Sequence, residues 1–201
     1  MKNLYILSGI PGVGKSSWSK NFAKITKNTH IISSDDIRKE LGGSFQYFEE
    51  EDKVWELFLE RAEQLSKEND DINVILDSTC LTDEYRTQYF DKLKNYDRYI
   101  LVIFRCSFSV ALSRNSRRKE GKVVPMKIMK KMYNEFKFPS KETKSKFNEV
   151  IEVNCLLDWI IMPHGQAVSH LALNQRCLGS NPSGAANGTL SRYYAIDFFC
   201  A

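Results

Sequence analysis

The 201-residue chain has no long hydrophobic run. Its most apolar stretches, Leu4 to Leu7 and Tyr99 to Phe104, fall far short of the roughly 20 residues that span a bilayer, and Met1-Lys2-Asn3 does not open a signal-peptide layout. No membrane association is expected, and the cytoplasm is the expected compartment. Cysteine is scarce and shows no pairing pattern: there are five, an odd number, with no CxxC. That argues against a disulfide framework and a structural zinc site, and leaves Cys80 and Cys106 as small apolar side chains in a reducing compartment. Internal repeats are lacking. What is present, 42% hydrophobic and 27% charged residues, suits a globular domain and excludes a long disordered chain.

A strong net charge is also missing, but the formal +4 sums two unlike parts. Tyr96 to Lys146 holds 14 Lys+Arg against 4 Asp+Glu, whereas the rest holds 15 against 21. Such a basic segment suits a polyanion or a nucleotide; solvated helix faces are the plainer alternative. Charge then nearly vanishes. From Leu156 to Ala201 only Asp158, Arg176, Arg192 and Asp197 are charged, and Gly179 to Gly184 reads as loop. The expected organisation is one domain, residues 1–155, and an irregular tail, residues 156–201.

Periodicity gives the order of elements in the domain. Leu4 to Ser8 reads as a buried strand, Lys15 to Ile25 as a helix with Trp18, Phe22 and Ile25 on one side, and His30 to Ser33 as a second strand before a helix that stops at Gly42-Gly43. A helix is expected over Phe45 to Lys67, strands over Val74 to Leu76 and Tyr99 to Phe104, and helices over Thr82 to Leu93 and Ser107 to Arg117. Pro125 suits the first turn of a helix running to Phe136, and Val150 to Val153 is a last strand. Alternating strands and helices imply a central parallel sheet with helices on both faces.

Gly9-Ile10-Pro11-Gly12-Val13-Gly14-Lys15-Ser16 fits GxxxxGK[ST] at every fixed position, between an expected strand and an expected helix. Chance supplies such a match in roughly one chain of this length per hundred, before the flanks are considered. Glycines let backbone N–H groups turn inward onto phosphate oxygens, and the helix that follows adds its positive end. Gly9, Pro11, Gly12, Val13, Gly14, Lys15, Ser16 and Ser17 are therefore the expected ATP-binding residues. Lys15 supplies a point charge for the β- and γ-phosphates, and the Ser16 hydroxyl a ligand for Mg²⁺. The fold class implied is a P-loop NTPase three-layer α/β sandwich, adenylate-kinase-like, with a helical lid.

Phosphoryl transfer needs a carboxylate for the acceptor's proton and cations for negative oxygens. Ser34-Asp35-Asp36-Ile37-Arg38 follows the second strand, so its carboxylate sits where open α/β sheets present ligands. Arg38 lies one turn from Asp35, near enough to share a substrate; an N-cap role for Ser34 or Asp35 is the alternative. Asp77, followed by Ser78-Thr79, ends an apolar strand and either holds Mg²⁺ through water or orients the acceptor-side arginine, with a strand-end cap as the plain alternative. Arg114, Arg117 and Arg118 share a helical face that feeds the polar loop Lys119 to Lys122, the pattern of a lid closing over the transferred group. Cations gathered at a helix C-terminus by its dipole are the alternative here.

Taken together, Ile10 to Trp18, Asp35-Asp36-x-Arg38, Asp77, Arg114-Asn115-Ser116-x-Arg118, Lys122-x-Val124-Pro125 and Met132-Tyr133 resemble the P-loop polynucleotide 5′-kinases of phages over roughly residues 1–136. The resemblance implies ATP and Mg²⁺ at Lys15 and Ser16, Asp35 as general base on a 5′-hydroxyl, and Arg38 on the acceptor's phosphate. It further implies Asp77 and Thr79 on the acceptor side, and Arg114 and Arg118 on ATP, Arg118 at its γ-phosphate. The catalytic set is thus Lys15, Asp35, Arg38 and Arg118, the partner is a nucleic-acid 5′ end, DNA or RNA, and no obligate protein partner is implied. Two features depart from that family: Ser34 replaces a basic residue before the base, and the DxDGT signature of its phosphatase domain is absent. Zeta-toxin-like kinases and antibiotic phosphotransferases look similar over the P-loop and first carboxylate, so a small-molecule acceptor is the alternative. A non-enzymatic ATP-dependent switch is the second.

The tail from Leu171 to Asn187, LALNQRCLGSNPSGAAN, resembles a transfer-RNA gene translated as if coding. Our hypothesis is that the reading frame enters such a gene, which would make His164, His170 and Cys177 incidental rather than a metal cluster; a genuine Gly/Ser-rich extension is the alternative. Gly179 to Pro182 is then expected to be encoded by GGTTCGAATCC or a close T-arm-like variant. Sequencing the gene checks this, and codons unable to form a T-arm end the idea.

Overall fold

A computed structural model describes residues 1–154 and the backbone of residues 160–161 and 167–168. In chain order the elements are β1 (Lys2–Ser8), α1 (Lys15–Ile25), β2 (Thr29–Ser33), α2 (Ser34–Gly42), α3 (Glu51–Glu68), β3 (Ile72–Asp77) and α4 (Asp83–Lys92). They continue with β4 (Arg98–Arg105), α5 (Phe108–Ser116), α6 (Met126–Glu135), α7 (Lys141–Lys146) and β5 (Glu149–Asn154). Five parallel strands form one sheet in the order β2-β3-β1-β4-β5. Two further strands, β6 (Ile160–Ile161) and β7 (Ala167–Val168), pair antiparallel with each other. The rest of the tail, including its proposed origin and His164, His170 and Cys177, lies outside the described residues.

Side-chain alternation explains why the central strands read as continuous apolar runs. Leu4, Ile6, Val74, Leu76, Leu101 and Ile103 face one side, where Val54, Phe58 and Ala62 of α3 and Tyr89 of α4 cover them. Leu7, Ile75, Ile100, Val102 and Phe104 face the other, under Trp18 of α1, Ala111 of α5 and Met129 of α6. The expected three-layer sandwich is the architecture observed.

Two boundaries differ from expectation for local reasons. Helix α3 begins at Glu51 rather than at Phe45, because α2 ends with Gly43 in the left-handed region (φ 73°) and Tyr47 folds its ring over Gly42. Glu51 and Asp52 then meet the positive end of α3. Pro125 is the N-cap of α6 rather than part of its first turn, its carbonyl accepting from the Met129 N–H at 3.0 Å. Helix α7 occupies a charge-rich stretch without apolar period and is started by Ser140, whose hydroxyl accepts from the Thr143 N–H at 3.0 Å.

Beneath the sheet's carboxyl edge lies a buried arginine that no sequence pattern singled out. Arg86 of α4 is fully buried and donates to Ser8 Oγ at 2.9 Å, to the Leu81 carbonyl at 2.9 Å, to the Lys137 carbonyl at 2.5 Å and to Asp83 at 2.8 Å. Ser8 Oγ in turn donates to the carbonyl of Cys80, a residue held at φ 39°. One side chain thus ties the end of β1, the β3–α4 turn and the segment after α6. Arg86→Met leaves several buried acceptors without a donor and is expected to cost about 3–5 kcal/mol. Urea unfolding followed by circular dichroism checks this.

Candidate active site

At the carboxyl end of β1 the chain turns through the P-loop into α1. Gly12 (φ 84°) has no room for a side chain, since a Cβ would stand 2.2 Å from the Ala111 carbonyl oxygen, so the loop lies directly against α5. Gly14 (φ 99°) faces open space, and Val13 anchors the loop in the core. Helix α1 starts with no side-chain cap and no acid in its first turn. Its first N–H groups, beside Pro11 and the exposed Ser16 and Ser17, are therefore directed at an anion. Lys15 is buried and donates to the carbonyls of Gly9 at 2.8 Å and Ile10 at 3.0 Å, which leaves its third proton free. Burial lowers the Lys15 pKa, although the charges of Asp77 and Asp35 pull it up. A glycine-lined helix start that buries a cation fits a triphosphate.

Strand β3 delivers Asp77 to the same place. The side chain is buried and its pKa is raised by that burial, against the Lys15 charge and a hydrogen bond from the Ser16 side chain. Thr79, two residues on, holds the loop through its carbonyl, which accepts from the Gly9 N–H at 2.9 Å. No group of three or more His, Cys, Asp or Glu side chains able to hold a metal occurs among the described residues. The Ser16 hydroxyl and the Asp77 carboxylate do form an all-oxygen pair beside Lys15, which fits Mg²⁺ held jointly by protein and phosphate oxygens.

Strand β2 ends opposite β3, with Ser33 in register with Asp77. The cap of α2 is Ser33, whose Oγ accepts from the Asp36 N–H at 3.3 Å, so neither Ser34 nor Asp35 caps the helix. Asp35 accepts instead from two arginines: Arg38 at 3.1 Å on Oδ1 and Arg118 at 3.3 Å on Oδ2. Arg38 is gripped from its far side by Glu51, at 2.9 and 2.5 Å in a two-pronged contact, and stands 5.3 Å from the Phe48 ring centre and 5.8 Å from that of Trp55. Burial is the largest influence on Arg38 and works against its charge, yet the Glu51 and Asp35 carboxylates outweigh it and raise the pKa. Glu51 is a site residue that sequence reasoning missed. It stands in the acidic run Glu49 to Asp52, and only the fold shows which of the four faces Arg38.

The lid cations divide. Helix α5 ends at Ser116, with Arg117 as its C-cap, so the helical face expected to carry Arg114, Arg117 and Arg118 together breaks before Arg118. Arg118 reaches the site and bonds Asp35, whereas Arg114 and Arg117 are exposed and enter no ion pair among the described residues. The reason is the end of the α-helical repeat, which re-aims the side chain that follows. Lys122, named in the sequence as part of a motif but without a role, pairs with Asp36 at 3.4 Å and lies 4.0 Å from the Phe45 ring centre, while Gln46 donates to the Val123 carbonyl at 2.7 Å. Asn115 holds the loop's return by bonding both Val124 backbone groups, at 2.8 and 3.1 Å.

The raised pKa of Asp77 means that the folded state binds its proton more tightly than the unfolded state does, so ionising it opposes folding. Stability contributed by the protonated form is lost as pH rises from the ordinary aspartate range through the folded value. Asp77→Asn removes that loss. The variant is expected to match the wild type near pH 3 and to gain on it as pH rises to 7, as urea unfolding at the two pH values measures.

Residues 4–139 match the AAA_33 family, described as an AAA domain. L-seryl-tRNA(Sec) kinase of Methanococcus maripaludis is 32% identical over 142 residues, which cover 68% of this chain and 53% of that protein. The chain thus spans about half the length of this curated relative. Among solved structures, a chain of the Pnkp1/Rnl/Hen1 RNA repair complex superposes with a TM-score of 0.61 at 24% identity, over 73% of this chain and 46% of that one. An unliganded sugar kinase from a Janibacter species superposes at 0.54 with 14% identity, over 77% of this chain and 86% of that one. Both share the fold, and no helix among the described residues is long and apolar enough to cross a membrane. Because the matched segment takes in the P-loop, the carboxylate ends of β2 and β3 and the lid, the chain belongs to the AAA_33 family of P-loop kinase domains.

Proposed function

We propose that this protein transfers the γ-phosphate of ATP to a hydroxyl, and that the acceptor is the 5′-hydroxyl of a polynucleotide, DNA or RNA. The observation that carries the reading is Asp35: a carboxylate at the end of β2, free of capping, bonded at once to the clamped Arg38 and to Arg118 of the lid. A carboxylate offers about four acceptor positions, so two remain for an attacking hydroxyl while both arginines stay bonded. Asp35 takes the hydroxyl proton as the oxygen attacks in line. Lys15 and Arg118 neutralise the charge that spreads over the transferred group, and Arg38, fixed by Glu51, holds the acceptor. The same reading assigns Arg114, exposed on α5, to ATP. Ser16 and Asp77 would hold Mg²⁺, which would supply further neutralisation at the phosphates. The same reading assigns Thr79, whose carbonyl holds the P-loop at Gly9, to the acceptor. The name of the curated relative puts its own acceptor on a tRNA, which supports a nucleic-acid substrate.

Incubation with labelled ATP and a panel of 5′-hydroxyl DNA, RNA, mononucleotides and sugars tests the acceptor. Label is expected on oligonucleotides, with steep loss as salt rises. Label on sugars alone, untouched by competing oligonucleotide, establishes a small-molecule kinase instead; ATP binding without transfer to any acceptor establishes a switch.

Asp35→Asn is expected to slow transfer by about 10²- to 10⁴-fold while ATP binding is retained. Lys15→Ala is expected to lose both. Transfer rates and ATP titrations on the two variants check this, and full turnover by Asp35→Asn removes Asp35 as the base.

A further inference from the structure

The basic segment noted in the sequence is only partly used by the site. From Arg114 to Lys131 it carries eight Lys+Arg against one acid, Glu120. Among the described residues, Arg118 and Lys122 alone of these eight enter ion pairs, both with the carboxylates of the acceptor motif. Elsewhere in the same basic segment Arg98, Arg105, Lys144 and Lys146 each have a carboxylate partner. Lys137 and Lys141 of the same segment are exposed and also enter no ion pair among the described residues, so what sets α6 apart is the arrangement of its cations.

On α6 the cations are ordered. Lys127, Lys130 and Lys131 are spaced i, i+3 and i+4, which puts them on one face, and all three are exposed. At 100° per residue that face lies opposite Met129, which is fully buried against the sheet. Folding does not account for the arrangement. Lys127 stands in the first turn of α6, which has no acid, so its charge meets the positive end of the helix dipole, where a cation is destabilising. Glu135, one turn beyond Lys131, forms no ion pair with it among the described residues.

The ridge is also close to the chemistry. Lys122 bonds Asp36, beside Asp35, and five residues of chain reach at most about 18 Å, so Lys127 lies within that distance of Lys122. The three lysines then follow one another over about 6 Å of helix.

We propose that the outward face of α6 binds the sugar-phosphate backbone of the acceptor strand, taking the phosphates that follow its 5′ end, with Lys127, Lys130 and Lys131 as the contacts. The inference rests on the polynucleotide reading of the acceptor and adds to it a second, sequence-independent site for the body of the strand. Contacts to phosphates position a strand without reading bases, so the ridge raises affinity for long acceptors over short ones.

The triple charge reversal K127E/K130E/K131E tests it, with fluorescence anisotropy of a labelled 5′-hydroxyl 20-mer as the readout across a salt series. Thermal melting and ATP binding serve as controls of fold. The wild type is expected to bind the 20-mer, and the variant at least tenfold more weakly at low salt. Its slope of log affinity on log salt is expected to be shallower by about 2, from three phosphate contacts at about 0.7 each. Equal binding and equal slope in the two proteins, or no binding of the 20-mer by the wild type at low salt, overturns the ridge. The two readings fail separately. If oligonucleotides are phosphorylated but the variant binds the 20-mer as the wild type does, the ridge falls and the acceptor assignment stands; if labelled phosphate goes only to sugars, the acceptor assignment falls and ridge-dependent binding of the 20-mer is no contact with an acceptor.

Discussion

Strands β1 and β3 lie side by side and parallel, Ile6 in register with Leu76, and most of the site follows from that pairing. Both chains leave the sheet at the same edge, so the P-loop that continues β1 and the carboxylate that ends β3 share one small volume. Lys15 and Asp77 are buried there together, and burial pushes the pKa of each toward its neutral form. A charge pair in that position is costly to the fold. A buried cation meets the phosphates of a nucleotide far more strongly than it would in water, which fits the P-loop it serves. The network from Arg86 through Ser8 to the Cys80 carbonyl keeps the edge in place without touching the chemistry.

Charge at the end of β2 is handled differently. Asp35 is half-exposed and acts through partners drawn from two separate elements, the first turn of α2 and the loop after α5. Glu51 and the rings of Phe48 and Trp55 hold Arg38 from its far side, whereas Arg118 has Asp35 as its one ion-pair partner among the described residues. The loop after α5 and the segment from α2 to α3 are joined at three further points, Lys122 with Asp36, Lys122 with Phe45, and Gln46 with Val123. The loop after α5 is therefore tied to the same segment that presents Asp35.

Periodicity located every strand and helix from Leu4 to Val153 except α7, because strands covered on both faces and helices covered on one leave plain patterns. The P-loop was legible for a stricter reason: backbone N–H groups can surround a phosphate only where glycines permit the turn, and that leaves a fixed spacing in the chain. Asp35, Arg38, Asp77 and Arg118 were legible as residue types at strand ends and in the lid. Glu51 and Arg86 were not, and Lys122 was legible only as a motif member without a partner, because each acts across at least 13 residues of chain or through backbone carbonyls that carry no sequence signal.

The sequence by itself determined the order of elements, the parallel α/β class and the identity of the phosphate-binding loop, since all three arise from interactions between residues near one another in the chain. Tertiary structure alone decided the partners. It put Asp77 beside Ser16 and Lys15, gave Arg38 to Glu51, freed Asp35 by letting Ser33 cap the helix, and parted Arg118 from Arg114 and Arg117. Those choices depend on which strand ends are neighbours and on where a helix stops, and a side chain's charge partner is set by that geometry rather than by its own neighbours in sequence.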